Sequence, residues 1–94
     1  MSAVAKRITV RGRVQGVGYR DAVVQAALEI DIAGWVRNRN DGSVEVFVQG
    51  APESVESVIE WCRRGPPLAR VIAVDVVSAE IDADLTRFAL RATG

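Results

Sequence analysis

The chain has 94 residues, with twelve Lys or Arg against twelve Asp or Glu and a formal net charge of zero. That length holds one domain, expected over residues 1–94, and the charge balance argues against a nucleic-acid binder or a membrane-surface protein, which usually carry a basic excess. With no histidine and one cysteine, Cys62, the chain lacks the commonest general base, the commonest transition-metal ligand, an internal disulfide and any zinc-ligand spacing.

The first residues, Met1 to Arg7, meet charge before any apolar run develops. No signal peptide or membrane span is read there, and a cytoplasmic location is expected. Lys6 to Arg13 then alternates, with Ile8 and Val10 on one side and Arg7, Thr9 and Arg11 on the other. Period two predicts a half-buried strand. The loop Val14–Arg20 follows, carrying Gly16 and Gly18. Asp21 to Ile32 predicts a helix with Val23, Val24, Ala27 and Leu28 on its apolar face and Asp21 at the positive end of its dipole.

Trp35 to Arg39 reads as a second strand. Asn40-Asp41-Gly42-Ser43 is a hairpin signal, since Asp-Gly accepts the positive φ of a tight turn. Val44, Val46 and Val48 alternate in a third strand that Gly50 ends. Pro52 to Arg64 predicts a helix with Pro52 in its first turn, Glu53 and Glu56 near its start, and Arg63 and Arg64 near its end. Gly65-Pro66-Pro67 stops it, and Val55, Val58, Ile59 and Cys62 form its buried face. Val71 to Val77 predicts a fourth strand. Thr86 to Arg91 predicts a short last one with Phe88 and Leu90 inward.

The order β-α-β-β-α-β plus a short final strand predicts a ferredoxin-like α+β sandwich, an antiparallel sheet with both helices on one face. The two strands joined by the first helix point the same way. Their ends, the loop Val14–Arg20 and Asn38, therefore meet at one end of the sheet.

That loop fits neither a Walker motif nor G-x-G-x-x-G, because its glycines are wrongly spaced and no Lys follows. It still has the physics of an anion site. Gly16 and Gly18 let backbone N–H groups turn into one concavity. The next helix offers its N-terminus, and Arg20 offers a fork matched to two phosphate oxygens. The plain alternative is a connector with a solvated Arg20. Asn38 likewise reads either as a functional amide or as a hairpin residue bonded to its own backbone. Arg37 and Arg39 are expected to be solvated, adding mild attraction for anions. Trp35, Phe47 and Trp61 are expected to pack, Cys62 to sit inert in the core, and Asp82 and Asp84 to occupy a turn.

Two segments carry a resemblance. Gly12-Arg13-Val14-Gln15-Gly16-Val17-Gly18-Tyr19-Arg20 resembles the acylphosphatase pattern G-x-V-Q-G-V-x-[FY]-R. Gly34-Trp35-Val36-Arg37-Asn38 resembles that family's second motif, with Gly42, Val44 and Gly50 following at its spacing. The resemblance implies a small cytosolic hydrolase that cleaves the carboxyl–phosphate anhydride of acyl phosphates, releasing a carboxylate and inorganic phosphate, with no metal and no cofactor. It implies phosphate binding by Arg20 and by the backbone of Gln15, Gly16, Val17, Gly18 and Tyr19. It implies that Asn38 positions the attacking water, and that the Ser43 hydroxyl helps to hold Asn38. The partners expected are an acyl phosphate and inorganic phosphate, with no nucleic acid or membrane, and the chain is expected to be a monomer. Two alternatives stand beside this: a non-catalytic phosphate-binding module of the same family, and an RNA-binding sheet. The latter needs stacking aromatics that strand Arg7–Arg13 lacks.

Overall fold

The computed structural model describes residues 2–94. They form β1 (Val4–Arg13), α1 (Tyr19–Leu28), β2 (Ile32–Asn38), β3 (Val44–Gly50), α2 (Pro52–Arg64), β4 (Arg70–Ala79) and β5 (Phe88–Leu90). The five strands make one sheet in the order β4-β1-β3-β2-β5. β3 runs antiparallel to both β1 and β2, so β1 and β2 are parallel to each other and end together, as expected.

Ile8, Val10, Val36, Val44, Val46 and Val48 share one buried cluster with Val23 and Ala27 of α1 and with Val55, Val58, Ile59 and Cys62 of α2. Both helices therefore cover the same face of the sheet. The apolar stripe docks α2. Each fully buried Val or Ile contributes about 1.5–3 kcal/mol, whereas an exposed pair such as Glu60–Arg63, 3.7 Å apart, contributes about 1 kcal/mol or less. The expected bounds of α2 and its buried face are those observed.

Four expectations need correction. The sheet is mixed: β5 pairs parallel with β2, Gly34 opposite Phe88 and Val36 opposite Leu90. The chain leaves β4 at one edge of the sheet and reaches β5, beside β2, at the other through residues 80–87, and that crossing sets the direction. Next, α1 ends at Leu28, not Ile32. Ile32 is already paired with Gly50 in the sheet, and a β-branched residue that can join a ladder has little reason to stay helical. Its buried face is Tyr19, Val23 and Ala27, one residue in four, which leaves Leu28 65% exposed. Finally, Leu90 is 46% exposed while Phe88 is buried, because β5 is an edge strand with only its first side chain under the helices.

The other face of the sheet is not bare. β3 is buried on both sides from Val44 to Gln49. Trp35 and Phe47 stack there, with ring centroids 6.0 Å apart, and pack with Ala5, Ala79 and Leu85. Gln49 Nε2 donates to the Asp82 carbonyl and Gln49 Oε1 accepts from the Asp82 N–H, both at 2.8 Å. These bonds tie the crossing segment 80–87 over this second cluster.

Candidate active site

The loop after β1 turns back toward β2 through two glycines in the left-handed region, Gly16 at φ 72° and Gly18 at φ 79°. A Cβ at either position would meet nothing within 4 Å. Backbone conformation, not crowding, therefore demands glycine here. Gly18 is also the N-cap of α1, and no side chain caps it. Among the described residues no side chain meets the N–H groups of the first helical turn, and the positive end of the helix dipole points at the same place.

The loop, the start of α1 and the end of β2 enclose a cavity of about 150 Å³ lined by Val14, Gly16, Gly18, Tyr19, Arg20, Asp21 and Asn38. Arg20 is half-buried. Among the described residues its guanidinium bonds no carboxylate, while Arg7, Arg11, Arg37, Arg39 and Arg63 all do. Asn38 Oδ1 is buried without a hydrogen-bond partner among those residues. An unpaired buried amide oxygen costs about 1–3 kcal/mol, a cost that a donor placed in the cavity would relieve. The Asn38 backbone is fixed on both sides. It pairs with Val44 in the sheet, and its carbonyl accepts from Gly94 N–H at 3.1 Å. The residues after β5 continue along β2 as far as this point.

Gln15 and Val17 belong to the loop but do not line the cavity. Val17 packs on the core. The Gln15 side chain turns to the β2–β3 hairpin, its Nε2 donating to the carbonyls of Arg39 and Ser43, each at 2.9 Å. Tyr19 lines the cavity only from behind. Its hydroxyl donates to the Cys62 carbonyl at 2.7 Å, and its ring meets Trp61 edge-on at 5.7 Å. Burial, with Cys62 beside it, pushes the phenol well above its usual pKa, so it is a neutral anchor and not a proton donor to chemistry. Burial also pushes the Cys62 thiol up to about 12, and at neutral pH it has no thiolate with which to react.

The Ser43 hydroxyl does not hold Asn38. It donates to Asp41 Oδ1 at 2.6 Å, and the Ser43 N–H donates to the same oxygen at 2.9 Å. These two bonds hold the Asp41 carboxyl below its usual range. The short Asp41 side chain reaches its own turn more easily than the hydroxyl reaches across β2. Arg37 and Arg39, expected in solvent, bind Glu45 instead. Asp21 was read only as a helix-end charge; its place beside Arg20 in the first turn was the available signal that it also faces the cavity.

A much larger groove, about 900 Å³, lies between α1 and α2, but Glu29, Glu53, Glu56 and Glu60 ring it against Arg64 alone. Its charge has the wrong sign for an anionic ligand. Among the described residues no group of three or more His, Cys, Asp or Glu is placed to hold a metal ion, and no helix is long and apolar enough to cross a membrane.

The acylphosphatase family model matches residues 6–90. A protein named acylphosphatase from Rhodopseudomonas palustris (strain BisB18) is 51% identical over 88 residues, which cover 93% of this chain and 89% of the relative. Among solved structures, an acylphosphatase from Coxiella burnetii superposes with a TM-score of 0.89 at 35% identity, covering 95% of this chain and 93% of that one. The acylphosphatase from Bacillus subtilis gives 0.88 at 36% identity, covering 94% and 98%.

Proposed function

The chain belongs to the acylphosphatase family of hydrolases, and we propose that it cleaves acyl phosphates by direct attack of water in the cavity between Gly18, Arg20 and Asn38. The phosphate sits against the loop amides and the uncapped start of α1, with the Arg20 guanidinium on its equatorial oxygens. These groups stabilise the charge that spreads over those oxygens as the bond to the leaving group breaks. Asn38 Oδ1 accepts a hydrogen bond from the attacking water and aims its lone pair in line with the departing carboxylate.

The bonds balance without a protein nucleophile. The water oxygen bonds to phosphorus, the phosphorus–oxygen bond to the acyl group breaks, and the carboxylate leaves with the electron pair. The water's proton passes to a phosphate oxygen of the substrate. A carboxylate is a good enough leaving group to need no general acid. With no histidine in the chain, the reading assigns no role to a base or a metal ion. It takes the chain as a cytoplasmic monomer of one domain that binds neither nucleic acid nor membrane.

The observation that carries this reading is the buried Asn38 Oδ1, without a hydrogen-bond partner among the described residues, in the same cavity as an arginine that bonds no carboxylate among them. Hydrolysis of benzoyl phosphate tests it, with inorganic phosphate as a competitive inhibitor and activity retained in excess chelator. Binding of phosphate without turnover overturns the enzymatic reading in favour of a binding module. Complete loss of activity with chelator overturns metal independence.

A further inference from the structure

Gln15 joins two parts of the site that are far apart in sequence. Its Nε2 carries two N–H donors, and each meets a carbonyl at 2.9 Å: Arg39, 24 residues away, and Ser43, 28 residues away. Those carbonyls form the neck of the β2–β3 hairpin. The Ser43 carbonyl already accepts from Arg39 N–H at 2.8 Å, and the Arg39 carbonyl from Gly42 N–H at 3.1 Å. The hairpin neck therefore closes without Gln15, and the two extra bonds add nothing that the turn itself lacks. What they fix is the distance from the loop to the hairpin. Gln15 precedes Gly16 and Gly18, which shape the phosphate side of the cavity. Arg39 follows Asn38, the water side.

We propose that Gln15 is a positioning residue, whose side-chain amide sets the spacing between the phosphate-holding loop and the water-orienting Asn38. This rests on the acyl-phosphate reading above and deepens it. The two halves of an in-line displacement sit on separate elements, so an error in their spacing misaligns water and phosphorus without removing either binding group. Displacements of about 1 Å suffice to cost about 10²-fold in rate. The signature is a loss in kcat with phosphate affinity kept.

The test compares Gln15→Glu, Gln15→Ala and Gln15→Lys by kcat and KM for benzoyl phosphate and by the inhibition constant of inorganic phosphate. Gln15→Glu keeps the shape but presents oxygens to two carbonyls; Gln15→Lys restores N–H donors. We expect Gln15→Glu and Gln15→Ala to lose about 10–100-fold in kcat, with the phosphate inhibition constant changed less than about threefold, and Gln15→Lys to recover most of the loss. Rates are normalised to folded protein by circular dichroism, and Gln15→Ala serves if Gln15→Glu does not fold. An unchanged kcat with only a lower melting temperature overturns the proposal, making Gln15 a stability residue. Parallel losses in kcat and phosphate affinity also overturn it, since Gln15 would then shape the phosphate loop alone. Arg20→Ala is measured alongside. If that variant keeps both phosphate affinity and rate, the reading of the site itself fails, and this proposal with it, whatever Gln15 does.

Discussion

On the face of the sheet away from the helices, Arg7, Arg37 and Arg39 converge on one carboxylate. Arg37 Nε lies 2.8 Å from Glu45 Oε1, Arg39 Nη1 lies 3.0 Å from it, and Arg7 Nε lies 3.4 Å from Oε2. At the end of the same sheet a single arginine, Arg20, faces the cavity and bonds no carboxylate among the described residues. Counting charges would pick the first place as the anion site. Counting satisfied donors picks the second. The cluster has already spent its hydrogen bonds on Glu45, and Arg37 also lies 5.2 Å from the centre of the Trp35 ring, where Arg91 lies at 4.8 Å. Among the described residues the Arg20 fork meets no carboxylate, and no side chain caps the helix amides beside it. A binding site is recognised by unsatisfied groups held in place, because satisfying them is what a ligand contributes.

The sharpest way to break this comparison is to remove one arginine from each place. Arg20→Ala should lower kcat/KM by about 10³-fold or more, as for other phosphate-clamping arginines. Arg39→Ala should change it only a few-fold, through weakened long-range attraction. Similar losses at both positions, measured with benzoyl phosphate, would mean that the cluster also touches substrate.

Next in size, Asn38→Ala should lower kcat by about 10²-fold with little change in KM. Because the variant deletes an unpaired buried oxygen, its thermal stability should hold or rise. A rise in KM alone would place Asn38 in substrate binding.

The cluster should answer to stability instead of rate. Glu45→Gln should cost about 1–3 kcal/mol, less than a fully buried pair because the arginines reach solvent. Differential scanning at neutral pH would read this as a loss of roughly 4–24 °C, since about 1 kcal/mol moves a domain of this size by about 4–8 °C. The sign with pH follows from the carboxyl. Burial pushes the Glu45 pKa up, but hydrogen bonds from Arg37 and Arg39 outweigh it and hold the group below its usual 4.5. A pKa depressed in the folded state gives stability that is present above 4.5 and lost as pH falls through the folded value. Asp41, held down by its Ser43 bonds and by Arg11, contributes with the same sign. Wild type should therefore melt progressively lower below that pH, and Glu45→Gln should flatten the slope.

The smallest effect is expected at Gly18. Placing Ala at φ 79° costs about 1–2 kcal/mol of strain with no clash, since a Cβ there meets nothing within 4 Å. Gly18→Ala should lower the melting temperature while leaving Arg20 in reach. A loss of rate as large as that of Arg20→Ala would show that the amide directions matter more than the guanidinium.

Much of the fold was legible because the local signals agreed. In α2 the proline, the end charges, the apolar stripe and the stop at Gly65 all pointed to Pro52–Arg64. In the β2–β3 hairpin the Asp-Gly turn fixed the register. The end of α1 was not legible, because Ile30 and Ile32 suit a helix face and a strand equally, and only the partner Gly50 decides. The direction of β5 depends on which way residues 80–87 cross the sheet, and no local pattern records that.

For the site, β1 and β2 being parallel was enough to bring Arg20 and Asn38 together. The burial of Asn38 Oδ1 and the route of the Gln15 side chain were not legible, since both depend on atoms contributed by distant strands. Ser43 shows the limit of carrying a role over by position. The hydroxyl is present, but its nearest acceptor is Asp41.

The uncapped start of α1 has a further consequence. Helices usually borrow a serine, threonine or aspartate to finish their first turn, and Gly18 supplies no such side chain. On the proposed reading the anion itself finishes it, so the helix is complete only while the cavity is filled. Binding and local folding then become one equilibrium. Inorganic phosphate should protect the first amides of α1 from exchange with solvent, and each turnover would leave the end of the helix briefly unfinished, ready for the next substrate.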